Sequence, residues 1–422
     1  MEQRIRRNMI CVLKGELVKA LGCTEPIAIA YVSAKAREIL GRMPEKIVIA
    51  CSGNIIKNAK SVIVPMTGSL KGIEAAAVTG AVGGDAGKEL EVLTGVTSQE
   101  LETVQKLLDE KICKVECLDT TEKLHILETV YAGEDVVQVE LIRTHLGIIK
   151  ITKNGEVLFE DQPQEDKDEI DYTCLNVKNI LEFANTIPVD EVKGLIEEQI
   201  RCNTEISQKG LQEKYGANIG TLLLKHYGDD VKVRAKAKAA AGSDARMSGC
   251  ELPVVINSGS GNQGMTVSLP VIEYAEYLKA DHEKLIRALV LSNLIAIYQK
   301  CRIGRLSAYC GAVSAAAGAG AGITYLYGGD EKQISDTVVN TLANISGIIC
   351  DGASASCAAK IASSVDAAIM GSIMAREANV FESGDGIVKD DLQKTIDGVV
   401  ELARDGMKET DEVILHIMVD EK

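Results

Sequence analysis

Three Phe and no Trp occur among 422 residues, so this chain has few large rings with which to fill an interior. Its cores must be built from Ala, Val, Ile and Leu, and 38 Gly allow helices to approach one another closely. The densest small-residue stretch, Gly311 to Gly322, carries no charge. Its weak hydrophobicity suits tight helix packing better than a membrane span. The length is enough for two or three domains, each with its own core. A net charge of −15 argues against nucleic acid as a partner, because phosphate binding needs a basic surface.

Basic residues open the chain, Met1 to Arg7, but Lys14, Glu16 and Lys19 interrupt the next turns, so no secretory signal is expected. Twelve cysteines without such a signal point to the cytoplasm, where thiols stay reduced. The expected class is α+β: a large, mainly helical part with a smaller antiparallel-sheet domain inserted. Residues 1–70 and 172–422 would form the larger part, and 71–165 the smaller.

Helical spacing is expected over 3–20, from Thr24 to Leu40, and over 71–82 and 98–111. Glu45 to Cys51 reads as a buried strand. From Lys114 to Phe159 short β-type runs alternate with turns, among them Gly133-Glu134 and Asn154-Gly155, the second a strong hairpin signal. An acidic linker is read over 160–171. Helices then dominate, among them 231–248, 270–301, 307–324, 330–347 and 354–375, with a terminal strand over 411–418.

Cys310, Cys350 and Cys357 lie in this helical half. On one continuous helix Cys350 and Cys357 would stand roughly 10 Å apart along the axis. Tetrahedral zinc needs sulfurs about 4 Å apart. Either the helix breaks between them or the site is larger than one ion. Asp351-Gly352 is a turn dipeptide and Ser354 a good cap, so a break after Cys350 is the natural reading. No histidine lies near the trio in sequence, which suits an iron–sulfur cluster better than zinc. Spacing alone does not separate a cluster from three small buried hydrophobes.

Cys23 sits in Gly22-Cys23-Thr24-Glu25-Pro26 at a helix start, where backbone N–H groups are expected to lower a thiol pKa. That is a place for a catalytic base, a nucleophile or a fourth ligand, or for a cysteine with no role. Glu25 is a further candidate base. The loop Asn257 to Gly264 comes after an apolar run, and its Ser260, Asn262 and Gln263 suit a carboxylate or phosphate. It has neither the lysine of a P-loop nor the spacing of a dinucleotide fingerprint. The element Ser52-Gly53-Asn54 repeats Ser260-Gly261-Asn262 and, with Lys57 and Asn58 after it, is expected to face the same ligand through Ser52 and Asn54. Arg246 and Arg305 stand in glycine-rich motifs as possible carboxylate clamps.

Taken together, Gly22 to Pro26, Ser52 to Ile55, Gly259 to Gly264, Tyr309-Cys310-Gly311 and Cys350 to Ala353 resemble the L-cysteine desulfidase family. That family is related to the α component of bacterial iron–sulfur L-serine dehydratases. The motifs occur in the family's order over nearly the whole chain. The resemblance implies that Cys310, Cys350 and Cys357 hold a [4Fe–4S] cluster and that Cys23 is the catalytic base. It implies β-elimination of L-cysteine to hydrogen sulfide, ammonia and pyruvate, with L-serine dehydration the close alternative. Serine dehydratases that tuck a C-terminal cysteine into the site have no counterpart in Ile417 to Lys422. The fourth iron is then open or taken by Cys23.

Two other classes compete. A pyridoxal-phosphate lyase can carry a Ser-Gly-Asn loop but needs a Schiff-base lysine, and none stands in a recognisable motif. A non-enzymatic iron–sulfur sensor would leave both Ser-Gly-Asn elements without a purpose. The expected partners are a small amino-acid substrate and a second copy of the chain, a homodimer with neither membrane nor nucleic acid.

Overall fold

The computed structural model describes residues 1–161, 170–304 and 306–419. The chain opens with α1 (Gln3–Glu16), β1 (Lys19–Leu21), α2 (Thr24–Leu40), β2 (Lys46–Cys51), α3 (Gly53–Ala59), α4 (Gly72–Gly83) and α5 (Ser98–Asp109). Five strands come next: β3 (Cys113–Cys117), β4 (His125–Ala132), β5 (Asp135–Ile142), β6 (Ile148–Lys153) and β7 (Glu156–Glu160). After them lie α6 (Val177–Thr186), α7 (Lys193–Gln212), α8 (Ile219–Tyr227), α9 (Val231–Met247) and β8 (Pro253–Val255). The last helices are α10 (Gly261–Tyr277), α11 (His282–Ile303), α12 (Gly311–Leu326), α13 (Glu331–Ile345), α14 (Cys357–Arg376), α15 (Leu392–Glu401) and α16 (Lys408–Val419).

This is an α+β architecture. The six-stranded sheet has the order β3-β2-β4-β5-β6-β7. Its pairs are antiparallel except β2 with β3, which run parallel because α3 to α5 provide the crossover. β2 precedes residue 71 yet shares this sheet with the later strands. Strict alternation of buried and half-buried residues along β4 matches the period of two expected of a sheet with one covered face. α2 covers that face.

Glu128 of β4 is fully buried there, among Ile126 and Val130. The Ser33 hydroxyl of α2 has one proton and two neighbouring acceptors, Ile29 O at 3.0 Å and Glu128 Oε2 at 2.6 Å. A protonated Glu128 resolves the conflict by donating to Ser33 Oγ, which donates to Ile29. Burial pushes this carboxyl up to about 8, and the Ser33 contact offsets only part of that. Between the unfolded carboxyl's value near 4.5 and about 8, the native chain holds a proton that the unfolded chain has released. Stability must therefore fall as pH rises through that window, by on the order of a few kcal/mol. Glu128→Gln, which keeps a donor for Ser33, is expected to flatten the decline and to be more stable than the parent at pH 8. Urea unfolding at a series of pH values tests this, and parallel curves for the two proteins would contradict it.

The helical part is packed through small residues, as the scarcity of aromatics requires. α12 is buried along nearly all its length and lies against α10, α11, α13 and α14. Hydroxyls within this interior satisfy one another: Thr324 Oγ1 lies 2.7 Å from Thr337 Oγ1 and 2.8 Å from Ser372 Oγ. Among the described residues, α14 alone is long and apolar enough to cross a membrane, and more than half of its apolar window is buried inside the protein.

Several expectations change. Residues 3–20 are not one helix, because Lys19–Leu21 forms β1 and pairs antiparallel with β8, whose partner residues lie more than 230 positions away. The expected 270–301 helix is two, α10 and α11, separated where Asp281 caps the second. α10 already begins at Gly261 and carries Pro270 inside it. The expected terminal strand 411–418 is helix α16, whose Leu415 packs on Gly53 of α3. Residues 162–169 of the acidic stretch, and Arg305, lie outside the described residues.

Candidate active site

α12 starts at Gly311 with Cys310 as its cap, α14 starts at Cys357, α2 starts at Thr24 with Cys23 as its cap, and α10 starts after Ser260. These four helix beginnings meet at one cavity of about 100 Å³. The caps of α5, α6, α9, α11, α13 and α15 bond to their own first turns. At the cavity, Cys23, Ser260, Cys310 and Ser356 make no such bond, and neither do the caps of α1, α3, α4, α7 and α8 elsewhere. Four positive helix ends thus face a common space, which favours negative charge within it.

The sulfurs are placed by the backbone. Cys310 N donates to Ile348 O at 3.1 Å and Cys350 N donates to Ala308 O at 2.6 Å, so the two cysteine segments are clasped around a Tyr309–Ile349 bridge. The chain then turns at Gly352, and Cys357 opens α14 after Ser356, two residues later than a Ser354 cap would place it. The helix is indeed broken between Cys350 and Cys357. All three cysteines line the cavity, and all twelve in the chain are free thiols. Burial, then the neighbouring Cys350, pushes the Cys310 thiol up to about 12. Burial raises Cys357 as well, with Cys350 adding to it.

Cys23 lies on the same cavity, 2% exposed, with Sγ 3.1 Å from Glu25 Oε2. The expected lowering of its pKa is not found. Burial and the adjacent Glu25 carboxylate raise it well above the ordinary thiol value, and the Arg246 charge offsets only part. Glu25 goes the other way. Burial opposes its ionisation, but His145, the Cys23 thiol and Arg246 together hold it down to about 2. His145 Nε2 stands 3.9 Å from Glu25 Oε1, an ion-pair distance beyond hydrogen-bond reach. Thr24 Oγ1 donates to Gly259 O at 3.0 Å and ties the start of α2 to the loop before α10.

That loop stands on a buried amide network. Gln199 and Asn293 exchange two hydrogen bonds, at 3.0 and 2.8 Å, and Asn257 Nδ2 donates to Asn293 Oδ1 at 2.9 Å. Ser258 Oγ completes the chain by donating to Asn257 Oδ1. Such a network fixes the positions of Ser260, Asn262 and Gln263 at the cavity wall.

Of the residues singled out in the sequence, the structure gathers Cys23, Cys310, Cys350, Cys357, Ser260, Asn262 and Gln263 on one cavity, with Arg246 and Asn58. It sets Ser52 and Asn54 apart. The Ser52 hydroxyl donates to Lys123 O at 2.7 Å, and Asn54 faces a second cavity beside α16. Sequence reading missed two residues. His145 arrives from the β5–β6 connection with no motif around it. Lys300 is a buried cation in the last turn of α11, and its signal was a lone lysine ending the apolar run Ala288 to Ile297. Burial brings its ammonium down to about 8, although Cys350 and Cys310 pull it back up.

The donor set fits an iron–sulfur group in its chemistry. Cys310 and Cys357, whose thiols burial and the neighbouring Cys350 hold back from ionising, become comfortable as thiolates beside Cys350 only around a positive centre. Among the described residues, no group of three or more His, Cys, Asp or Glu side chains is drawn tightly enough to hold a single metal ion.

The family model described as serine dehydratase alpha chain matches residues 87–416, and the chain belongs to that family. A UPF0597 protein of Lachnoclostridium phytofermentans is 63% identical over 415 residues, covering 98% of this chain and all of the relative. UPF0597 proteins of Treponema denticola and Desulfitobacterium hafniense are 51% and 50% identical, covering 97% and 100% of this chain and 96% and 98% of theirs. The relation to serine dehydratase α components read from the motifs is thereby shown.

Proposed function

We propose that the chain eliminates hydrogen sulfide from L-cysteine, releasing ammonia and pyruvate, with a [4Fe–4S] cluster held by Cys310, Cys350 and Cys357. The observation that carries this reading is the convergence of those thiols with Cys23 on one cavity. A bound cluster would supply a Lewis-acidic iron with the affinity for sulfur that a thiolate leaving group calls for.

The chain's own residues do the rest. Cys23 is placed to take the Cα proton as a thiolate, after its own proton has left for solvent, and Glu25, which accepts the resting thiol's hydrogen bond, orients the sulfur. The uncapped first turn of α10 and the polar side chains after it hold the amino acid still while the proton is removed. Burial keeps water from competing. The family match supports a second reading, dehydration of L-serine in the same cavity.

Anaerobic reconstitution and then side-by-side assays of pyruvate from L-cysteine and L-serine test the proposal. Iron-dependent turnover with release of sulfide from L-cysteine is expected. Full turnover by an iron-free preparation would sink it. A yellow, borohydride-reducible protein would instead direct attention to Lys300 as a Schiff-base lysine.

A further inference from the structure

We infer that the cavity is built for an unmodified zwitterionic α-amino acid, with Arg246 anchoring the carboxylate and the amide oxygens of Asn262 and Gln263 receiving the ammonium. The inference deepens the elimination reading and rests on it only for what happens to the substrate's side chain.

Arg246 closes α9 and is 2% exposed. Its Nε donates to Gly22 O at 2.9 Å, immediately before Cys23. The guanidinium lies against the first residue of α10: a Cβ on Gly261 would stand 2.4 Å from Nε and 2.8 Å from Cζ. A cation pressed on the positive end of a helix is unfavourable until an anion joins them. Among the described residues Arg246 makes no ion pair. Glu25, whose charge it feels, is engaged with Cys23, Thr24 and His145. A carboxylate between the guanidinium and the uncapped start of α10 satisfies both.

The other end of the ligand has its own partners. Asn262 Oδ1 and Gln263 Oε1 are buried, line the cavity and have no donor among the described residues. Gln263 is 6% exposed, and its amide lies over the start of α12, where a Cβ on Gly311 would come within 2.6 Å of Cδ. Buried acceptors without donors call for a group with protons to give, and an ammonium has three. Cation on one side and acceptors on the other match the polarity of a free amino acid. An amide at either end of the ligand would spoil one half of that match, so peptides and N-acylated or amidated amino acids are excluded.

The test uses the iron-bearing protein, purified without air, and L-alanine as a probe that has the backbone but no leaving group. Calorimetric binding of L-alanine, L-alaninamide and N-acetyl-L-alanine is compared in the parent, Arg246→Gln and Arg246→Lys, alongside KM and kcat for L-cysteine. The parent should prefer L-alanine to both capped forms by at least about 100-fold. Arg246→Gln should lose the discrimination against the amide but keep that against the acetyl form, and Arg246→Lys should recover part of it. For L-cysteine, KM in Arg246→Gln should rise by about 100-fold, far more than kcat falls, with the iron content intact. A parent that accepts the amide as well as L-alanine overturns the inference even if the variants do not fold, and so does an Arg246→Gln protein that still rejects the amide. Discrimination without turnover of L-cysteine or L-serine would leave the anchor standing and remove the elimination reading. Turnover with indifference to capping would do the reverse.

Discussion

Alanine at Cys310, Cys350 or Cys357 is expected to reduce iron to background and to abolish elimination, whereas alanine at Cys23 abolishes elimination and leaves most of the iron in place. The division reflects where the sulfurs sit. Cys310 and Cys350 are clasped by backbone hydrogen bonds on either side of the Tyr309–Ile349 bridge, and Cys357 is fixed at the start of α14. None of the three can swing in to replace another, so each loss leaves too few thiolates. Cys23 comes from the far side of the chain, on α2, where its sulfur is tied to Glu25. Removal of a general base costs about 10²–10⁴ in rate without disturbing a group held elsewhere. Iron and acid-labile sulfide analysis beside a pyruvate assay reads both effects. Iron loss from Cys23→Ala equal to that of the other three would reassign Cys23 as a ligand.

The second large effect lies away from every sulfur. Lys57, on α3, is 1% exposed, and its ammonium pairs with Asp411 at the start of α16. The same ammonium donates to Cys350 O at 3.3 Å. Asp411→Ala leaves a buried cation without its counter-charge beside the second cavity, a change that costs up to about 3–5 kcal/mol. The variant should unfold at markedly lower urea concentration and hold iron less well, because the Cys350 segment loses a fixed neighbour. Replacing both partners with apolar residues, Lys57→Met with Asp411→Leu, should restore most of the stability. Equal urea midpoints for Asp411→Ala and the parent would show that the pair contributes nothing.

Much of the sheet was legible because its signals are local. Alternation along β4 and β5 and the turns Gly133-Glu134 and Asn154-Gly155 specify strands and connections without reference to the rest of the chain. α16 was not legible in this way. Val413-Ile414-Leu415-His416-Ile417 is a short, β-branched apolar run that reads like a buried strand, and in the fold it is helical, with Leu415 packed on Gly53. β1 is three residues long and exists because β8 lies beside it. Gly261 and Asn262 are poor helix formers, so the beginning of α10 is hidden from propensity and is held by its neighbours.

The site shows the same division. Cysteines at helix starts and the Ser-Gly-Asn-Gln run announce themselves. The repeated Ser-Gly-Asn misled, because the meaning of so short an element depends on where its helix points, and α3 points its start at Lys123 and α16. His145 and Lys300 reach the cavity through tertiary folding alone.

The three thiols of the cysteine trio enter the cavity from the beginnings of α12 and α14 and from the turn between α13 and α14, while Cys23 was synthesised nearly 300 residues earlier. On the ribosome, then, no nascent fragment short of α14 contains all four sulfurs of the cavity. Under the proposed function, a cluster would be inserted only after α14 has been made, into a folded pocket rather than an unfolded polymer.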